Sequence, residues 1–381
     1  MTGPIHWARG LTRLPFIGTR QGLARRGFVV NALVVLVGTR DVPSYPPTRP
    51  VMPLAVVAVG GNALTAADQT GTWTEVAANA EQIGACLAAL RGAGWQIAVV
   101  HGNGPQVGNL ALQQDAGAQV VPAQPLHQLC AMTQGQLGSV LVRAVDRHCG
   151  AGSAVAIVTH VEVDPTDPAF SHPTKPIGPF WSAERAAELA EERGWTTEED
   201  SGRGYRRVVA SPRPTAVVEV SAVRTLLQAG YVVLAAGGGG VAVSADHDGG
   251  LAGVDAVIDK DHAAAVLATA IGASELYLLT GVDCVLLDFG TVHQRAAHLL
   301  SPEQAQHYLD EGQFPEGSMG PKITAALRFL QDGGSRVIIT SAEKLAAATA
   351  GEPAVGTCIT ALHVAAARPL QARRVDVERA S

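Results

Sequence analysis

From Leu54 onward the apolar residues follow two rhythms. Short unbroken apolar runs, such as Leu54–Val59 and residues 96–100, alternate with longer stretches whose apolar positions recur at helical spacing, as at Ile83, Leu87 and Leu90. An unbroken apolar run suits a strand covered on both faces, and the three-to-four spacing suits a helix with one buried face. The pattern predicts strands at Leu54–Val59, 96–100, 153–163, 231–236, 275–280 and Arg336–Thr340, with helices at 74–90, 126–148, 216–229, 261–271, 302–310 and 321–331. Alternation of this kind is the mark of an α/β fold with a mainly parallel sheet.

The rhythm breaks once. Residues 164–214 hold Pro165, Pro168, Pro173, Pro176, Pro179, Pro212 and Pro214 together with Gly202 and Gly204, and only 182–193 reads as a helix. Such a segment predicts a protruding subdomain or lid set into the first lobe. The division expected is an N-terminal lobe at 52–230 carrying the lid, a C-terminal lobe at 231–360, and a loose tail at 361–381. Residues 1–51 lack a regular pattern, and Met52 immediately precedes the first clean strand. The extension therefore reads as a start-site artefact or a disordered arm.

Composition narrows the class. With 381 residues, 47% hydrophobic and 16% charged, the chain can bury a large core in more than one lobe. The net charge is −6, although residues 1–51 alone carry seven arginines and one acid, so the body is the acidic part. An acidic body argues against nucleic acid as the partner. Five cysteines, Cys86, Cys130, Cys149, Cys284 and Cys358, are scattered without a Cys-x-x-Cys spacing, which fits a reducing, cytoplasmic setting and excludes a disulfide framework or zinc knuckle. The apolar stretch 28–38 is interrupted by Asn31 and falls short of the roughly twenty residues a membrane span needs.

Lysine is the scarce residue. Only Lys175, Lys260, Lys322 and Lys344 occur, against 24 arginines. A compact ammonium on a flexible stem does what a planar guanidinium cannot, so each lysine becomes a candidate. Lys175 lies between prolines in the lid, where it could reach a substrate; an exposed loop lysine is the alternative. Lys260 lies between Asp259 and Asp261, which would hold it between two carboxylates. Lys322 follows Gly-Ser-Met-Gly-Pro at a predicted helix start, where the dipole disfavours a cation unless an anion is near. Lys344 reads as helix surface.

Three glycine turns follow predicted strands: Gly60-Gly61-Asn62, Gly102-Asn103-Gly104 and Gly237-Gly238-Gly239-Gly240. Glycine lets successive N–H groups converge on one centre, and a following helix adds its positive end, which makes a phosphate cradle. Each turn alone reads equally as a tight connection; three at one edge of a parallel sheet point to a site. No Gly-Lys dipeptide exists, which excludes a Walker A loop, and the Gly102, Gly104, Gly108 spacing is one residue too long for a dinucleotide fingerprint. Arg203, Arg206 and Arg207 read as surface or hinge residues, and His101 as a packed histidine. These features alone reach nucleotide-dependent phosphoryl transfer to a small acceptor.

Read in order, Val59-Gly60-Gly61-Asn62-Ala63-Leu64, His101-Gly102-Asn103-Gly104-Pro105-Gln106-Val107-Gly108, Pro173-Thr174-Lys175-Pro176-Ile177-Gly178-Pro179, Gly202-Arg203-Gly204, Val257-Ile258-Asp259-Lys260-Asp261, Leu279-Thr280-Gly281-Val282-Asp283 and Gly317-Ser318-Met319-Gly320-Pro321-Lys322 strongly resemble the carbamate kinase family over about residues 54–360. The resemblance implies a three-layer α/β/α amino-acid-kinase fold, a homodimer, and Mg²⁺-dependent ATP + carbamate ⇌ ADP + carbamoyl phosphate, in arginine catabolism. It implies that Gly60, Gly61, Asn62, Gly102, Asn103 and Gly104 bind the acceptor and the transferring phosphoryl group in the first lobe. Lys175, Lys260 and Lys322 would neutralise the transition state, with Asp261 orienting them. Gly237, Gly238, Gly239, Gly240, Thr280, Asp283 and Met319 would hold the nucleotide in the second lobe, and Mg²⁺ would arrive on its phosphates. A kinase of another small carboxylate or phosphonate and an inactive nucleotide-binding module are the alternatives. His127, Ser139, Tyr205, Ala210 and Ala242 depart from the family pattern.

Overall fold

The computed structural model describes residues 52–361 apart from 66–68, 201, 247 and 316, and without the side chain of Asn62. The extension 1–51 and all but the first residue of the tail 361–381 lie outside the described residues. Eight strands form the central sheet, in the spatial order Leu299–Leu300, Thr357–Ile359, Arg336–Thr340, Glu275–Leu279, Leu54–Val59, Gln96–His101, Val232–Leu234 and Ala154–Ala156. Only the pairing of Arg336–Thr340 with Thr357–Ile359 is antiparallel.

The unbroken apolar runs are explained by burial on both faces. Along Leu54–Val59, Val56 and Ala58 enter one cluster with the helices Lys260–Ile271 and Met319–Gln331, while Ala55, Val57 and Val59 enter another with Trp73–Gly92 and Leu126–Cys149. Alternate residues point to opposite faces, so a strand between two helical layers must be apolar throughout. Local chemistry sets the helix ends as well. Thr72 and Glu75 form a capping box before Trp73–Gly92, Ser301 and Gln304 form one before Pro302–Asp310, and Ser182 caps the lid helix Ala183–Arg193.

Two expectations need correction. The stretch 153–163 is not one strand: Ala154–Ala156 ends the central sheet, and His160–Val163 joins a second sheet with Val241–Ala245, Leu251–Gly253 and Pro214–Val217. The break is made by a side chain. Gln134 takes both the N–H and the C=O of Thr159, at 2.9 and 3.0 Å, so that residue leaves the ladder without losing its hydrogen bonds. The helix expected at 216–229 begins at Val220, because Pro214–Val217 is a strand and Glu219 turns back to accept from the N–H and Nδ1 of His160.

The lid is more ordered than its proline content suggests. Lys175–Trp181, Tyr205–Val209 and Thr197–Glu199 form a three-stranded antiparallel sheet backed by Ala183–Arg193. It docks on the helix Gly104–Gly117 through Gly108 and Gly178: a Cβ on Gly108 would lie 2.0 Å from the Gly178 nitrogen. The Gly178 backbone is itself held, its carbonyl accepting from Arg206 Nε at 3.0 Å. Gly108→Ala is therefore expected to lower unfolding free energy by about 1–3 kcal/mol through overpacking. Gly117→Ala, in the same helix with nothing within 4 Å of its Cβ, is expected to leave stability unchanged or raise it by up to about 1 kcal/mol. Urea unfolding of the two variants checks the pair of signs.

Candidate active site

The central strands run parallel, so their carboxyl ends share one edge of the sheet. Three neighbours, Leu54–Val59, Gln96–His101 and Glu275–Leu279, deliver Gly60 and Gly61, then Gly102, Asn103 and Gly104, then Thr280, to one cavity of about 370 Å³. Lys175, Lys260 and Lys322 line the same cavity, from the lid, from the start of Lys260–Ile271 and from the first turns of Met319–Gln331. Three of the four lysines thus converge although far apart in the chain. Lys344 is exposed elsewhere.

Glycine is needed where these turns touch. A Cβ on Gly102 would lie 2.8 Å from the Gly61 nitrogen and 3.0 Å from the Lys260 side chain, so the two turns and the lysine stem can meet only if residue 102 has none. Gly238, with φ +68°, lies against Asn103, whose Nδ2 donates to Thr133 Oγ1 at 2.9 Å. Of the run 237–240 only Gly238 reaches the cavity wall. Gly237 packs on the His101 ring, Gly239 on the Ile258 carbonyl and Gly240 on Val161. Met319 also lines the wall, whereas exposed Asp283 does not and accepts from Ser341 Oγ at 2.6 Å. His101 is buried and pushed down to about 4 by that burial, with its Nδ1 on the Gly102 carbonyl, so it is uncharged at neutral pH.

The cations are arranged around two carboxylates. Asp261 Oδ2 accepts from Lys322 Nζ at 2.8 Å and from Lys260 Nζ at 3.1 Å. Both carboxylates flanking Lys260 act on its charge, as the sequence suggested, but its ammonium is hydrogen-bonded to Asp261 alone. Asp259 instead caps the helix through Oδ1, accepting the Asp261 N–H at 2.8 Å, and its Oδ2 pairs with Lys175 at 2.5 Å. The reason is geometric: successive residues at a helix start point in different directions, so Lys260 Nζ reaches Asp261 while Asp259 Oδ2 turns to Lys175.

These pairings set the charge states. Burial alone would raise the Asp261 carboxyl, but Lys260 and Lys322 hold it below its ordinary value. Burial works against the Lys260 ammonium too, yet Asp261 and Asp259 together keep it above the usual lysine range. For Lys322 burial wins and Lys260 adds repulsion, so despite Asp261 it falls to about 8. Three ammonium groups face the cavity against two carboxylates, and the N-termini of Gly104–Gly117, Lys260–Ile271 and Met319–Gln331 open beside it. An anion entering this space meets net positive potential.

Sequence reasoning found the lid's lysine but missed its arginines. Arg206 is buried; its Nε donates to the Gly178 carbonyl at 3.0 Å, its Nη1 to Asp200 Oδ2 at 3.0 Å, and its guanidinium lies 5.1 Å from the Phe180 ring. Arg203 lies over the same ring at 4.4 Å, and Asp200, Arg203 and Arg206 all line the cavity. The only signal was strand alternation at 205–209, which puts Arg206 and Val208 on one face. Arg207 does not line the cavity; it is half-buried over Trp195 rather than on the open surface.

A glycine-walled cavity at the carboxyl edge of a parallel sheet, closed by converging ammonium groups and entered by helix N-termini, defines an α/β phosphotransferase. The model of the Amino acid kinase family matches residues 53–341, and the chain belongs to that family. It is similar to the carbamate kinase of Pyrococcus horikoshii, 42% identical over 311 residues that cover 80% of this chain and 98% of that one. Carbamate kinase 2 of Enterococcus faecalis is 44% identical over 300 residues, covering 77% and 95%. Among solved structures, the carbamate kinase of Giardia lamblia bound to AMP-PNP is 36% identical with a TM-score of 0.73, covering 81% of this chain and 99% of that one.

Removing the shared carboxylate charge should be costly, because it leaves two buried ammonium groups against each other. Asp261→Asn is expected to lose about 3–5 kcal/mol of stability, read by urea unfolding. A loss under about 1 kcal/mol would mean that the lysines are not held by this carboxylate.

Proposed function

We propose that the protein is a carbamate kinase, transferring a phosphoryl group between ATP and carbamate. The observation that carries this reading is 42–44% identity to carbamate kinases over nearly their whole length, with the three cavity lysines in place. In the ATP-forming direction the bond between phosphorus and the carbamoyl oxygen breaks while one forms to a terminal oxygen of ADP. Carbamate departs already ionised, so no general base is required. What the site must supply is alignment and positive charge, the work of Lys175, Lys260 and Lys322. Asp261 acts through the last two. Gly60, Gly61, Asn62, Gly102, Asn103 and Gly104 cradle the phosphoryl group and acceptor from the 52–230 lobe. Thr280, Met319 and Gly238 meet the nucleotide on the 231–360 side, with Gly237, Gly239, Gly240 and Asp283 shaping the adjoining loops.

Mg²⁺ enters this reading as part of the nucleotide substrate. The carboxylates nearest the cavity are engaged by cations, Asp259 by Lys175, Asp261 by Lys260 and Lys322, and Asp200 by Arg206. Among the described residues no cluster of three or more candidate ligands exists, so the side chains do not form a cage for a resident metal. Among those residues no helix is long and apolar enough to cross a membrane. The reading places the enzyme in the cytoplasm as a homodimer, running toward ATP in arginine catabolism. A second reading, a kinase of another small carboxylate or phosphonate, draws on the Escherichia coli relative YahI, 43% identical and named only carbamate kinase-like.

Incubation with ADP, Mg²⁺ and carbamoyl phosphate is expected to yield ATP, with Lys260→Ala reducing turnover at least about a hundredfold and exposed Lys344→Ala leaving it unchanged. No ATP from the intact protein would sink the reading. The Lys322 ammonium is present below its value of about 8 and lost above it. Hence kcat/KM for carbamoyl phosphate is expected to fall as pH rises through about 8, and a profile flat to pH 10 would contradict the charged role of Lys322.

A further inference from the structure

We propose that Asp259 is a positioning residue that fixes the lid's Lys175 over the cavity, a task separate from that of Asp261. The inference rests on the phosphoryl-transfer reading for its catalytic consequence, though not for its structural content. Asp259 is buried, and both its oxygens are engaged. Oδ1 caps the helix Lys260–Ile271, and Oδ2 takes the Lys175 ammonium at 2.5 Å across a sequence gap of 84 residues. The helix cap prevents the carboxylate from following the lysine, so the lysine must come to it.

A second tether runs beside the first. The Val257 N–H donates to the Ala210 carbonyl at 3.0 Å, joining the segment before Asp259 to the end of the lid's return strand, and Val257 packs with Ile177 and Val209. Lys175 itself pairs in register with Val209. The base of the lid is thus fixed at the backbone by one contact and at its lysine by the other. Only the second carries charge into the cavity.

The charged groups facing Asp259 are Lys175 from the lid and Lys260 and His262 from its own helix, with Arg213 beside His262. Burial would raise the Asp259 carboxyl, but Lys175 foremost, then Lys260, hold it well below its ordinary value. A half-exposed lysine on a flexible stem would otherwise spend its time in many rotamers. Held by Asp259, it needs little reordering when a phosphoryl group arrives, which is the preorganisation that electrostatic catalysis requires.

Asp259→Asn in the full chain isolates the charge, because asparagine caps a helix as well as aspartate does. The variant, Lys175→Met and the double variant are compared by kcat and KM for carbamoyl phosphate with ADP, and by hydrogen–deuterium exchange. Asp259→Asn is expected to lower kcat/KM about tenfold, and to change it less than about twofold when Lys175 is already methionine. Amides of 175–181 and 205–209 are expected to exchange faster, with those of 54–59 and 275–279 unchanged. Activity equal to or above that of the parent would overturn the proposal, as would a tenfold loss that persists without Lys175, since Asp259 would then act through Lys260 or the cap. Should the parent form no ATP, the functional reading fails by itself. Exchange then decides the positioning claim, and unaltered protection of 175–181 would overturn it.

Discussion

One carboxylate oxygen holds the active centre together. Asp261 Oδ2 receives two ammonium groups, from Lys260 beside it in sequence and from Lys322, 61 residues away on another helix. Two buried ammonium groups this close would repel strongly with no anion between them, and a buried carboxylate would cost as much without a cation. Each charge is tolerable only because the others are there. The helices Lys260–Ile271 and Met319–Gln331 must therefore bring their N-termini together, and small buried residues such as Ala263, Ala264, Ala325 and Ala326 suit such a close approach.

The parallel sheet makes this convergence inexpensive. Every strand that ends at the cavity does so at the same edge, and the helices Lys260–Ile271 and Met319–Gln331, which lead back into the sheet at Glu275–Leu279 and Arg336–Thr340, begin there, so glycine turns, helix N-termini and lysines gather without a specialised framework. Charge then divides between two carboxylates. Asp261 serves the two lysines of the C-terminal half, and Asp259 serves the lysine of the lid. Three lysines and two arginines against three carboxylates leave the cavity ready for an anionic group, while the lid strands remain joined to the base through the 257–259 segment.

Much of the architecture was legible because burial on both faces makes apolar runs continuous. Leu54–Val59, Arg336–Thr340 and Pro302–Asp310 lie where the pattern put them. Failures came where a distant side chain replaced a local hydrogen bond. Gln134 splits the 153–163 run by satisfying Thr159, and no pattern within that run could report it. Arg206 looked like a surface residue because its partners, the Gly178 carbonyl and Asp200, compensate a burial that arginine alone would resist. The glycine run 237–240 announced a site, yet three of its members serve close packing against His101, Ile258 and Val161.

The sequence by itself determined the alternation that makes a parallel α/β sheet, the edge at which the glycine turns fall, and which lysines are scarce enough to matter. Those properties are local: periodicity, turn chemistry and composition are written in neighbouring residues. Tertiary structure alone decided which acid serves which lysine. Asp259 and Asp261 flank Lys260 symmetrically in the chain, but helical geometry turns one toward the lid and the other toward Lys322. Charge pairing depends on directions in space, and residues adjacent in sequence at a helix start face different partners.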